Sequence, residues 1–166
     1  MYQKNEDVVY GNVGVCTVKD ISELDFMSDR KLYYTLQPRY EENRIIYAPV
    51  EGHKHKIRPI ITKDEAEQFI ERLPFIEAGK YANEKERKEA YHEILLSGNM
   101  EKWASMIRFI HRKEEERAAR GQKVAAHYTE EMKVVERLML GELAVALGIP
   151  VGQMKSYITK KLEPVS

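Results

Sequence analysis

The 166-residue chain has one cysteine, one tryptophan and no surplus of either charge. A lone Cys16 excludes an intramolecular disulfide and a cysteine-based zinc site, and on an apolar, strand-like stretch it reads as a small buried side chain. The 27 Lys and Arg residues are matched by 27 Asp and Glu, whereas strong sequence-independent DNA binders carry a clear basic excess. Up to Pro74 there are 11 basic against 13 acidic residues, and beyond it 16 against 14. Any nucleic-acid contact is therefore expected to be local, weak or supported by a partner. No 18 apolar residues run together, and Met1–Asp7 lacks the basic-then-apolar layout of a secretory signal. The expectation is a cytoplasmic protein. Glycine-rich phosphate loops, a nucleophile elbow, a matched acid–base pair and internal repeats are all missing, so no enzyme activity is expected.

What is present is globular in character, with 43% apolar and 33% charged residues. Residues 7–10, 13–21, 31–38, 44–49 and 56–61 read as five short strands, rich in β-formers and separated by turn residues. Gly11, Asn12 and Gly14 can supply the positive φ of a hairpin, and Ser28-Asp29-Arg30, Glu41-Glu42-Asn43 and Gly52-His53-Lys54-His55 supply the other turns. Five short strands joined this way suggest a small barrel, closed so that most edges vanish.

Helical signals take over after Thr62. Thr62-Lys63-Asp64-Glu65 is a capping box before the stripe Ala66, Phe69, Ile70 and Leu73. Pro74 to Ala82 reads as a linker. Asn83-Glu84-Lys85-Glu86 is a second box, opening a helix that Ser97-Gly98 closes. Asn99 caps a third helix with Trp103, Met106, Ile107 and Ile110 on its apolar face, running to Ala119. Thr129 is expected to cap a fourth, ended by Gly148-Ile149-Pro150, and a short last helix covers about 151–161. Trp103, Phe69, Phe75 and Phe109 are all expected in the core.

Few residues suggest chemistry. His53 and His55 stand two apart in a turn with no companion carboxylate, which reads as solvated loop; no metal or cofactor is expected. His92, His111 and His127 fall on separate elements. Arg108, Arg112 and Lys113 could form a phosphate-contacting row, although Glu114-Glu115-Glu116 beside them equally describes a solvated helix face. Residues 144–158 have a helix-turn-helix rhythm around Gly148, with Lys155 as their single basic residue.

Val8-Val9-Tyr10, the Val13-Gly14-Val15 hairpin and Ile45-Ile46-Tyr47-Ala48-Pro49-Val50 come first. Ser97-Gly98-Asn99, the run from Ile107 to Arg117, and Leu140-Gly141-Glu142-Leu143-Ala144 follow. In order and spacing these segments resemble the CarD/CdnL family of bacterial transcription regulators, whose N-terminal module is shared with the transcription-repair coupling factor. The resemblance covers about residues 3–147. It implies an α+β fold: a small five-stranded Tudor-like β-barrel over 1–61, a helix and linker over 62–82, and an all-α helical domain over 83–166.

It also implies docking on the RNA polymerase β subunit through an exposed barrel strand, with Arg44, Ile46 and Tyr47 on the matching strand. The helical domain would touch promoter DNA through Asn83, Arg87, Lys88, Arg108 and Arg112, weakly and with polymerase present. No membrane or small-molecule partner is implied. The chain departs from the family where an Asn-Trp pair opens the first domain helix. Asn83 is kept, but Glu84 stands in place of the Trp that wedges into the minor groove. The basic residues expected at the start of the last long helix fall on Thr129, Glu130 and Glu131. Two alternatives stand beside this reading: an adaptor whose helices bind protein rather than DNA, and a helix-turn-helix regulator using residues 144–161.

Overall fold

A computed structural model describes residues 1–52 and 56–163. The strands are β1 (Asp7–Tyr10), β2 (Gly14–Glu23), β3 (Leu32–Pro38), β4 (Ile46–Pro49) and β5 (Ile57–Pro59). The helices are α1 (Lys63–Arg72), α2 (Glu84–Ser97), α3 (Met100–Ala119), α4 (Ala126–Leu147) and α5 (Met154–Leu162), with 3-10 turns at Leu73–Phe75 and Val151–Gln153. The class is α+β, as expected.

The strands form one antiparallel sheet in the order β4-β3-β2-β1-β5. All five contribute to a single apolar cluster, with Val8, Cys16, Val18, Tyr34, Leu36, Ala48 and Ile57 buried together. The sheet therefore wraps around its own core. It does not close, because β4 and β5 are the two outer strands and do not pair with each other. Both are short and end at a proline, Pro49 and Pro59, which has no N–H to carry a ladder further. The expected closed barrel is thus an open, curled sheet with two rims. A bulge between Val18 and Asp20 leaves Lys19 exposed and lets Val18 and Ile21 face the same interior, which is why the alternation along β2 is weak in the sequence.

The helices bury a second core around Trp103, whose indole N–H donates to the Ile94 carbonyl at 3.0 Å. α1 lies inside this core through Ala66, Phe69 and Ile70. From Leu138 to Ala144, α4 is buried on every side, with the sheet against one face and α1, α3 and α5 around the rest. Two glycines allow that fit. Gly14, at φ 95°, meets Leu138 of α4, where an added Cβ would sit 3.2 Å from the side chain. Gly141 lets Tyr40 lie against the helix, its hydroxyl donating to the Gly141 carbonyl at 3.1 Å. Glu142, next along α4 and fully buried, receives both Arg58 Nη groups at 2.6 and 2.5 Å and the Ile61 N–H at 3.0 Å. Arg58 Nε donates to the Gly98 carbonyl at 2.6 Å. The run 140–144 noted in the sequence is thus the seam between sheet and helices.

Several local expectations hold and others are corrected. The Thr62–Glu65 box is complete in both directions. The second box is displaced: the Glu86 N–H donates to Asn83 Oδ1 at 2.8 Å, but the Glu86 carboxylate accepts from the Ala82 N–H, not from Asn83. Thr129 does not cap α4, which begins a turn earlier at Ala126; the Thr129 hydroxyl donates back to the Ala125 carbonyl. Burial of Tyr128 in the core outweighs the capping preference there. Phe75 is not a core residue but is 83% exposed, because Pro74 turns the chain into a 3-10 turn that directs it outward. His53 and His55 lie outside the described residues.

Candidate functional site

Two regions carry the candidate residues, and they are built in opposite ways. The first is the β4 rim. Among the described strands β4 pairs only with β3, in the register Tyr33↔Pro49, Tyr34↔Ala48, Thr35↔Tyr47 and Leu36↔Ile46. The Val50 N–H donates to the Leu32 carbonyl at 2.9 Å. Since the bonding direction alternates along an antiparallel strand, Ala48 and Ile46 turn their backbone groups toward β3. Tyr47 turns its N–H and C=O away from the sheet. Pro49 offers only a carbonyl outward.

The side chains alternate as well. Ile46 packs into the sheet core. Tyr47 stands on the other face, 43% exposed, with its ring 5.2 Å from that of Phe26 at 66°. Phe26 reaches it because the loop after β2 folds back across this face, anchored by the Tyr33 hydroxyl donating to Asp29 at 2.5 Å. That bond holds the Asp29 carboxyl below its usual range. Arg44 is exposed and reaches the Glu41 carboxylate at 3.2 Å. The structure thus places Ile46 and Tyr47 on one strand, with Ile46 facing inward, and leaves Arg44 two residues before it, at the end of the preceding turn. Phe26 is the residue that sequence reasoning missed; an isolated Phe-Met between polar loop residues was the available signal.

The second region is the start of α2, and here the structure overturns an expectation. Arg87 is 1% exposed. Its Nε lies 3.0 Å from both Glu84 oxygens, Nη2 lies 2.7 Å from Glu84 Oε1, and Nη1 and Nη2 reach Glu131 at 2.5 and 3.1 Å. The Tyr128 ring lies 4.9 Å from the guanidinium, and its hydroxyl donates to Glu84. Burial opposes the Arg87 charge, but the two carboxylates more than offset it and push its pKa above the ordinary value. Glu84 is held below the usual carboxylate range, chiefly by the hydrogen bonds from Arg87. Arg87 is therefore not available to a phosphate. Two of the acidic departures noted above, Glu84 and Glu131, are the residues that hold it. The Glu84-x-x-Arg87 spacing, which pairs charges on one helix face, was the visible half of that signal.

The other candidates are dispersed. The Asn83 side chain is occupied in capping α2. Lys88 is exposed. Arg108 is exposed and donates to the Leu73 carbonyl at 2.7 Å, and Arg112, one turn along α3, is also exposed. On α5, Lys155 pairs with Glu136 at 2.9 Å, Lys161 pairs with Glu67, and Met154 is fully buried. This helix is packed into the bundle with two of its cations engaged, which disfavours a groove-reading role for 144–161. Among the described residues no three His, Cys, Asp or Glu side chains converge on a metal position, and no helix is long and apolar enough to cross a membrane.

The class defined by these features is a strand-presenting interaction domain fused to a helical unit. Residues 2–61, the sheet with its flanking segments, match the family described as the CarD-like/TRCF RID domain, so this part of the chain is similar to that domain. No curated protein matches the chain. The match supports a transcription-related, RNA polymerase-interacting function for residues 2–61.

Proposed function

We propose that the chain is a CarD-like transcription regulator that binds the RNA polymerase β subunit by adding a strand of that subunit to β4. The observation that carries this reading is the outer edge of β4, unpaired among the described residues, where Tyr47 presents both backbone groups beside exposed apolar side chains. Main-chain bonds along such an edge supply affinity, and side chains on alternate positions supply selectivity. A photoreactive residue in place of exposed Arg44 tests it. Cross-links to the β subunit are expected when core polymerase is added, and cross-links confined to other subunits would overturn the assignment.

On the helical side the proposal is a weak, polymerase-dependent contact with promoter DNA through Lys88, Arg108 and Arg112, with Asn83 and Arg87 serving structure instead. Few phosphates can be neutralised by three dispersed cations, so free duplex should bind no tighter than about micromolar at physiological salt. A nanomolar affinity for DNA alone would refute this.

A second reading, an adaptor whose helices bind protein, has one observation in its favour. An apolar groove of about 760 Å³ lies between α3, α4 and α5, floored by Ile107, Met139, Leu140 and Ile158. Replacing Lys88 and Arg112 together separates the two, since only DNA contact predicts loss of promoter-dependent output with polymerase binding intact.

A further inference from the structure

We infer that Phe26 and Tyr47 form the side-chain half of the β4 docking site and receive an apolar side chain from the incoming strand. This rests on the strand-addition reading above and adds the chemistry of what is recognised. A residue paired with Tyr47 through both of its outward backbone groups has its Cα about 5.5 Å away, and its side chain projects from the same face as Tyr47. The opposite face is already filled, because Ile46 and Ala48 point into the sheet core. The partner's side chain therefore lands on the face where Tyr47 stands and where Phe26 lies edge-on against it, 5.2 Å away.

This face is apolar beyond what folding requires. Phe26 is 66% exposed, and Ile45, which precedes β4 in the same alternation as Tyr47, is 55% exposed. Neither gains much from burial within the chain, and clustered exposure of this kind marks contact surfaces. The aromatic pair also holds its shape before binding, since the loop carrying Phe26 is tied down by the Tyr33–Asp29 bond. A preformed apolar seat costs little ordering entropy on docking.

The test is binding of the full chain to core RNA polymerase, measured for wild type, Phe26→Ala, Phe26→Leu and Tyr47→Phe. Phe26→Ala should weaken binding about tenfold, as truncation of an apolar anchor does, while its thermal melt stays at the wild-type value. Phe26→Leu should recover most of the loss, and Tyr47→Phe should bind as wild type because the ring, not the hydroxyl, makes the contact. The loss should persist from about 50 to 500 mM salt, where charge pairs are screened. A loss that disappears at high salt would mean that the seat receives a cation, and would overturn the inference. So would Phe26→Ala binding within twofold of wild type while position 44 still cross-links to the β subunit, a result that leaves the docking reading standing. Absence of that cross-link in an otherwise wild-type chain overturns the docking reading itself.

Discussion

The β4 rim and the start of α2 treat unpaired groups in opposite ways. At β4 the backbone of Tyr47 faces outward and two aromatic rings lie exposed beside it. At α2 the most conspicuous cation, Arg87, is folded inward under Tyr128 and held by two carboxylates. The contrast teaches that a basic residue in the right place along a helix is not yet a phosphate contact. Glu84 and Glu131 spend its charge inside the protein, whereas nothing among the described residues occupies the strand edge. Among the described residues the free backbone groups and the exposed aromatic pair lie together on the sheet.

Breaking the seam between the sheet and the helices should have the largest effect. Arg58→Met leaves Glu142 buried with only the Ile61 N–H, and loss of one partner of a buried pair costs about 3–5 kcal/mol. Chemical denaturation should show that loss, and a change below about 1 kcal/mol would mean that the seam is held by packing alone. Arg87→Ala should come next. Glu131 is mostly buried and loses its guanidinium, so the expected cost lies near the lower end of the same range. A variant that keeps wild-type stability but loses promoter affinity would return Arg87 to the DNA surface.

The sheet interior sharpens the comparison from the other side. Burial pushes the Cys16 thiol up to about 12. The folded chain keeps its proton where the unfolded chain, with a thiol near 9, has lost it. Stability should therefore fall as pH rises from about 9 toward 12, because the unfolded state binds fewer protons there. Tyr40, Tyr81, Tyr91 and Tyr128, raised chiefly by burial, add to that slope at higher pH, so a Cys16→Ala variant should show a shallower fall, most clearly between about pH 9 and 10, and the wild-type thiol should resist labelling at pH 8 until the chain unfolds. Rapid labelling of the folded protein would show that the sheet opens. The smallest effects belong to Lys88→Ala and Arg112→Ala. Each should leave stability within about 0.5 kcal/mol and lower the salt slope of promoter binding in the polymerase complex by about one.

How far the sequence discloses this arrangement depends on how local each cause is. The Thr62–Glu65 box, the Gly98 and Gly148 helix ends and the pairing of β1 with β2 rest on neighbours in the chain and are legible. An exposed strand is implied by the family resemblance and not by the residues themselves, because closure depends on whether β4 and β5 reach each other across the sheet. The burial of Arg87 is not legible locally because one of its two anchors, Glu131, lies 44 residues away. The capping signal at Thr129 is overridden because Tyr128, one position earlier, is buried within a helix that already starts at Ala126. Phe26 gave almost no signal, since its role depends on a loop folding back onto a strand twenty residues later.

The central claim is that polymerase recognition runs through the free edge of β4. Hydrogen exchange across residues 44–50, measured with and without core polymerase, tests it most directly. Slowed exchange of the Tyr47 amide in the complex, with residues 84–91 unchanged in the absence of DNA, is the predicted result. Protection confined to α2 and α3, with the Tyr47 amide exchanging as fast as in the free chain, would contradict it.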